Sequence, residues 1–385
     1  MSAKVILPLL SLSVFYFIFY FSHVNGLRAL GDAAQHAAKL PGLDEPLRTR
    51  YTGLAHVDHL LATLTMFFWP VGDGSQPGLT LHSIAFSGTF ASAWMLVTLE
   101  SWRKGNARSV AAFPAVFGLV AQVLTFAFAT PLYAFLHLTC SGTAAKPTTA
   151  KMQIPPVVLR ALPLVFTVAM HVPSLLMLVP LSETMTHDLK QICIAIWQPW
   201  PAYVAVLLVA ANAMCAKPLP GASTGNGTQD TAGSLRFVYA FAFASTAIAH
   251  LVSIIISAAT VAVPSIFQER HRASLHPRSV FATPLPWASP ALEVSTVGQG
   301  VQVFLRWDYI IGSAGVLIWA LSLHQSAHRA AGVRPCSSGL VAKVVALSIL
   351  CGPTGAAVEL MWERDELFLR DAAADKAKPV GAAKS

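Results

Sequence analysis

The sequence predicts an all-α fold, a polytopic transmembrane helical bundle of about eight to nine spanning helices. Three observations predict it. The chain is 55% hydrophobic and 11% charged, with a mean hydropathy of +0.58, whereas a soluble domain is usually about 25% charged. Apolar stretches close to the ~20 residues that cross a hydrocarbon core recur nine times. Strict alternation of apolar and polar residues, the mark of a half-buried strand, is absent.

The nine stretches are 5–24, 55–71, 79–99, 110–138, 156–181, 191–215, 237–263, 301–323 and 339–360. The first follows Lys4 and outruns the 7–15-residue apolar core of a cleaved signal, so it reads as an anchor. The second is the shortest. Of the connections, 217–234 is rich in Gly, Ser and Thr and reads as a flexible loop. The longest, 264–300, is proline-rich and serves as a lid or a tether. Residues 1–370 form one transmembrane helical domain, and 371–385, rich in Ala and Lys, form a disordered cytoplasmic tail. The five cysteines contain no C-x-x-C pair and read as packing residues.

The net charge of +8 does not require nucleic acid, because basic residues of a membrane protein collect on cytoplasmic loops. With the stretches alternating in direction, Lys and Arg outside them number 16 on one side and 6 on the other. This bias puts the C-terminus in the cytosol and the N-terminus in the lumen, with the endoplasmic reticulum as the membrane. A glycosylation sequon, Asn226-Gly227-Thr228, then falls in a lumenal loop.

Four carboxylates touch the apolar stretches. Asp58 opens the second, Glu100 closes the third, Asp308 opens the eighth and Glu359 closes the ninth. A charge at a helix centre in hydrocarbon costs roughly 2.5–3.5 kcal/mol on insertion scales, so each needs a reason. The alternating topology brings all four to one level at the cytoplasmic leaflet. At helical spacing Asp308 shares a face with Gly312, Gly315 and Trp319, and Asp58 with Ala62, Thr65 and Trp69. Glu359 stands above Gly355 and Gly352. Such small faces serve either a cavity wall or close helix packing. Arg306, about 200° around the helix from Asp308, is free to snorkel to the interface.

An acid in a narrow apolar cavity retains its proton more readily and can act as a Brønsted acid on a substrate without another polar handle. Aromatic faces can then stabilise the resulting cation. The chain offers Phe67, Phe68, Trp69, Trp94, Trp197, Trp200, Phe304, Trp307, Tyr309 and Trp319. Many membrane tryptophans merely belt the interface. The expected acids, in order, are Asp308, Glu359, Asp58 and Glu100. Trp69, Trp307, Tyr309, Gly312, Gly315, Trp319 and Gly355 are the expected substrate contacts.

The patches "FLRWDYIIG", "HVDHLLATLTMFFWP" and "ELMWERDE" resemble segments of the fungal integral-membrane terpene cyclases of meroterpenoid pathways, the ascochlorin and macrophorin cyclase type. The resemblance covers about residues 50–370. It implies protonation of an epoxide or terminal olefin on a farnesyl-type chain carried by an aromatic or polyketide head group. The chain closes through a carbocation and ends by proton loss. No cofactor or metal is implied, and the sequence lacks the motifs D-D-x-x-D, D-x-D-D and N-D-x-x-D. Expected partners are the lipophilic prenylated substrate, membrane lipid and pathway enzymes such as a flavin epoxidase or prenyltransferase. Two rival readings stand beside it. A transporter of a lipophilic metabolite would use breaks near Pro131, Pro173 and Gly352-Pro353. A membrane di-iron desaturase or hydroxylase would use His56-x-x-His59 and His324-x-x-x-His328, but the alternating topology places these on opposite sides.

Overall fold

A computed structural model describes residues 2–215, 227–332 and 337–377; the sequon at Asn226 and residues 378–385 lie outside the described residues. Among the described residues the regular structure is helical, apart from one isolated bridge between Lys39 and Pro46. The principal helices are Ala3–Val24 (α1), Leu27–His36 (α2), Ala55–Gly72 (α3), Pro77–Ser101 (α4), Pro114–Leu124 (α5), Phe126–Cys140 (α6) and 156–178 (α7). They continue with His187–Trp197 (α8), Trp200–Cys215 (α9), Gly227–Ala262 (α10), Glu269–Leu275 (α11), Pro277–Phe281 (α12), Val297–Ala330 (α13) and Ser337–Ala377 (α14).

Five segments are long and apolar enough to cross a membrane: Ala3–Val24, Thr149–Leu178, Thr231–Ala262, Val297–Ala330 and Ser338–Leu369. The α8–α9 pair, bent by 57°, passes the same test only when its two helices are taken together, as a broken span or a re-entrant loop. In lipid such helices associate through close packing and interhelical hydrogen bonds. The axle is α4, buried without interruption from Gly88 to Ser101. Its small residues let neighbours approach. A Cβ on Gly88 would meet the Ser245 carbonyl and Ala249 Cβ of α10 at 2.5 Å. Helix α13 runs alongside and parallel to α4. Gln302 lies beside Gly78, the Tyr309 ring is 5.8 Å from His82, and Tyr133 links Val97 to Trp319. The bundle thus has a Gly78 end and a Glu100 end.

Three expected spans behave differently. The stretch 110–138 is a hairpin of two half-spans, α5 and α6, that enters from the Glu100 end and returns to it. The rings of Phe117 and Tyr133 are 5.3 Å apart, where a straight helix would separate them by about 24 Å. The turn is Thr125, at φ +93 and ψ +154, a region that only glycine enters without strain. The last stretch also folds back. Gly352 (φ +79) breaks α14, and Lys343 Nζ reaches Glu363 Oε1 at 2.7 Å across a sequence distance worth about 30 Å of straight helix. Gly352 permits the reversal because it lacks a Cβ, and Pro353 suits the first turn of the returning helix. Helix α3 does not cross. Arg48, before it, pairs with Asp188 (2.5 Å) and Gln191 of α8, and Gly72, at its end, abuts Met177 and Lys190. Both flanks of α3 therefore lie at the Gly78 end.

These reversals change the topology. Asn25, just after α1, accepts the Val294 amide beside the start of α13, and Arg364 of α14 meets Glu100, so Ala3 and Leu369 both lie toward the Glu100 end, and the expectation that the chain ends lie on opposite sides does not hold. Helix α14 also continues through residues 371–377, where the sequence suggested a disordered tail.

Candidate active site

Asp308 sits in the interior of α13, 4% exposed. Its Oδ1 accepts the Ala127 amide at 2.6 Å, and the Phe126 amide and Thr125 hydroxyl lie beside it. The carboxyl group thus meets the opened N-terminus of α6, where free amides and the helix dipole favour a carboxylate acceptor. The Thr125 hydroxyl also caps that helix by accepting the Phe128 amide at 3.2 Å. A β-branched residue held in a glycine-like conformation costs about 1–3 kcal/mol, and such strain clusters at functional sites. Among the described residues Asp308 belongs to no ion pair.

Arg306 does not snorkel. Its guanidinium is buried and donates to the carbonyls of Ser279, Val280 (3.1 Å) and Ala282 (2.7 Å) around the end of α12. Trp307 donates from Nε1 to the Pro284 carbonyl (3.0 Å), and its ring lies 4.4 Å from Phe17 of α1. Together they fasten the long 264–296 connection over the Gly78 end of α13.

Glu100 occupies the opposite end. It shares its oxygens between Arg103 (2.6 Å), Arg364 and His137 (3.2 Å), while Asp365 takes Arg103 (2.5 Å), Arg364 (2.9 Å) and the Tyr239 hydroxyl (2.7 Å). All of these side chains are at most 3% exposed. Two arginines balance two carboxylates, the condition under which buried charge is tolerated. Trp319 Nε1 donates to His137 Nδ1 (3.2 Å), leaving Nε2–H to face Glu100. Trp319 is eleven residues along α13 from Asp308, about 16 Å at helical rise. The four acids are therefore not at one level. Glu359 pairs with Lys343 (2.9 Å), half-buried on α14. Asp58, in the first turn of α3, accepts the amides of Thr52 (2.6 Å), Tyr51 and Gly53 and the Thr52 hydroxyl (2.8 Å) from the loop before that helix. These bonds, the Thr52 amide foremost, hold its carboxyl below the usual range.

The expected substrate contacts scatter in the same way. Gly312 lies against the Phe126 ring, and a Cβ on Gly315 would meet Pro131 Cγ at 2.6 Å, so both glycines serve helix packing. Gly355 packs beside Cys351, Thr246 and Phe243. Trp69 is fully buried and faces His187 near the Gly78 end. Besides Gly312, Tyr309 stays with Asp308's surroundings. Its ring continues into a connected series: His82, Tyr309, Phe86, Phe126, Phe90, Trp94 and Trp200, with successive centroids 5.3–6.3 Å apart. Both nitrogens of His82 lack a partner among the described residues. The series ends at a cavity of about 260 Å³ between α4, α5 and α9, walled by Trp94, Trp102 and Trp200.

Sequence spacing missed Thr125, His82 and the Arg103–Arg364–Asp365 set. The charged run Glu363–Glu366, set directly after an apolar stretch, was the available signal for the last. His56 and His59 sit on α3 at the Gly78 end, and His324 and His328 near Glu363 at the other, so the two pairs do not meet.

A family model for the CtvD domain matches residues 3–369. The chain belongs to the CtvD family. Its CtvD-family relatives include the terpene cyclase ctvD of Aspergillus terreus, 31% identical over 91% of this chain and 94% of that protein. The terpene cyclase penA of Penicillium crustosum is 29% identical over 93% and 94%, and ascI of Acremonium egyptiacum 30% over 83% and 79%. No solved structure matches. The relatives support an enzyme that cyclises terpenoids, and the apolar helices a membrane protein. The matched residues, 3–369, contain both hairpins and the aromatic series.

Proposed function

We propose that this CtvD-family protein is a membrane-embedded, proton-initiated cyclase of the endoplasmic reticulum, acting on a farnesyl or epoxyfarnesyl chain attached to a meroterpenoid head group. Asp308 is the proton donor. The observation that carries this reading is its isolation from every cation: Glu100 is held by two arginines, Glu359 by a lysine and Asp58 by loop amides. Asp58 is likewise buried and without a cation, but of the two only Asp308 lies within a spanning helix and against the aromatic series.

In the proposed reaction the carboxyl O–H gives its proton to an epoxide oxygen or terminal olefin carbon. The C–O or π bond breaks, a tertiary cation forms, and neighbouring π bonds close the rings. Loss of a proton from a carbon next to the final cation restores a double bond. Phe126, whose amide lies beside the donor, touches Phe86 and Phe90, and Phe86 touches Tyr309; the faces of these rings can lower the cation's energy. A flavin epoxidase and a prenyltransferase would supply the substrate. Both chain ends then face the cytosol, the side on which Lys104, Arg108, Lys146, Lys151 and Arg329 also gather.

The test is Asp308→Asn in microsomes fed an epoxyfarnesyl resorcinol. Asn keeps an oxygen for the Ala127 amide but carries no acidic proton. Turnover should fall by roughly 10²–10⁴, the usual worth of general acid catalysis, with substrate binding retained. An unchanged rate at wild-type expression would refute the assignment. The two half-span hairpins favour one other reading, a transporter. Uptake of the labelled compound without conversion would support that instead.

A further inference from the structure

Thr125 holds a conformation that its own side chain disfavours, and neither of its visible duties requires it. Its φ of +93 with ψ of +154 lies where a β-branched residue is strained. Among the described residues the chain otherwise meets positive φ with glycine, at Gly26, Gly42, Gly53, Gly74, Gly332 and Gly352, and once with Ala38. Reversing a half-span does not call for threonine, because the other hairpin turns on Gly352 at φ +79. Capping a helix does not call for positive φ. Thr186 and Thr296 cap α8 and α13 by accepting the amide three residues on, at 3.2 Å in each case, with φ −72 and −137. Among the described residues Thr125 alone joins a capping hydroxyl to a positive-φ turn.

What the combination adds is a set of donors turned on one carboxyl group. The Ala127 amide meets Asp308 Oδ1 at 2.6 Å, and the Phe126 amide lies beside the same group. The Phe128 amide, the next free donor of α6, is taken by the Thr125 oxygen at 3.2 Å. Having accepted there, the Thr125 hydroxyl keeps its own proton for the carboxyl next to it. Oδ1 is thereby the acceptor edge, and the acidic proton of Asp308 belongs on Oδ2. When that proton leaves, negative charge appears on a group already facing donors, and such donors need no rearrangement at that moment. A turn free to move would have to be ordered first.

We propose that Thr125 is a positioning residue for the proton donor: its strained turn holds the Asp308 carboxyl with the acidic O–H on the free edge and stabilises the carboxylate left by proton transfer. This rests on the cyclase reading for the reaction it serves. The Oδ2–H bond breaks as the substrate takes the proton. The electron pair left on Oδ2 is the charge that the turn holds, until the proton released at the end of the reaction restores the acid. The strain at Thr125 is then the cost of placing a hydroxyl where glycine would fit the backbone better.

The test uses full-length protein in lipid nanodiscs and compares Thr125→Gly with Thr125→Ser. Glycine fits the turn without strain and is itself tolerated at a helix cap, so the folded protein should be at least as resistant to heat on size exclusion. It also removes the hydroxyl and lets φ take either sign, so the donors lose their aim. The kcat for an epoxyfarnesyl resorcinol should fall about ten- to a hundred-fold, the worth of one hydrogen bond to a charged group, with KM unchanged. Thr125→Ser should recover most of that loss. A second readout needs no turnover. The infrared band of the Asp308 carboxyl, identified by its loss in Asp308→Asn, should move to higher wavenumber in Thr125→Gly as the group loses donors, and return in Thr125→Ser. Wild-type kcat or an unmoved band in Thr125→Gly would overturn the proposal, as would a kcat in Thr125→Ser no better than in Thr125→Gly. So would loss of folded protein in Thr125→Gly, which would make the turn a folding element only. Wild-type protein that does not cyclise the substrate, with the band moving as expected in the variants, would leave the turn's hold on Asp308 standing and sink the cyclase reading.

Discussion

Gly315 separates a cavity wall from a packing contact. If it lines a cavity, Gly315→Ala should fold normally and change only substrate handling. The structure gives the opposite expectation. An added Cβ would stand 2.6 Å from Pro131 Cγ and 3.1 Å from Pro131 Cβ, whereas carbon atoms in contact settle at about 3.5–4.0 Å. Helices α13 and α6 must then part by roughly 1 Å, because a proline ring has no rotamer in which to withdraw. Overpacking of this kind costs about 1–3 kcal/mol. The measure is the temperature at which half the detergent-solubilised protein loses its monodisperse size-exclusion peak, which should fall. Pro131→Ala removes the obstructing Cγ, so it should recover stability in the Gly315→Ala background, beyond its effect in the wild-type chain. Full stability in Gly315→Ala, or no coupling to Pro131→Ala, would refute the packing argument and return Gly315 to the cavity.

Three further outcomes follow from the same geometry. Glu100→Gln leaves Arg103 and Arg364 undercompensated in the interior and should destabilise the bundle by about 3–5 kcal/mol, read as loss of folded protein on size exclusion; normal stability with abolished turnover would instead make Glu100 catalytic. Asp58 has a depressed pKa, so its contribution is present above the unfolded value near 3.9 and lost as pH falls through the lower folded value. Protease nicking of residues 46–54 should accordingly rise only in strong acid and be high at neutral pH in Asp58→Ala; equal nicking in the two chains at neutral pH would remove the carboxylate from that role. For the first hairpin, Arg108→Cys and Lys146→Cys, each in a chain lacking Cys140, should react with an impermeant maleimide from the same side of sealed microsomes. Labelling from opposite sides would mean that 110–138 crosses after all.

The parts of this fold that were legible in the sequence are those governed by local periodicity. The face holding Asp308, Gly312, Gly315 and Trp319 was grouped correctly, and all four do turn toward α6 and its cap. What the spacing could not supply was the partner. A row of small residues fits a cavity and a neighbouring helix equally well, and only the placement of Phe126 and Pro131 decides. Topology failed for a related reason. Hydropathy measures whether a segment tolerates lipid, not whether it reaches the far side, and a half-span returning through protein is as apolar as a crossing one. Gly352-Pro353 did carry a local signal for reversal, the break also noted for a transporter. Thr125 carried none, since a β-branched residue argues against the conformation it adopts. It holds that conformation because Asp308, 183 positions later in the chain, supplies the acceptor for the turn's amides. The same distance in sequence hides the pairing of Glu100 with Arg364. A reading by local spacing could nominate Asp308 and Glu100 on equal terms; it could not tell the acid that holds a strained turn without a counter-charge from the one that two arginines neutralise.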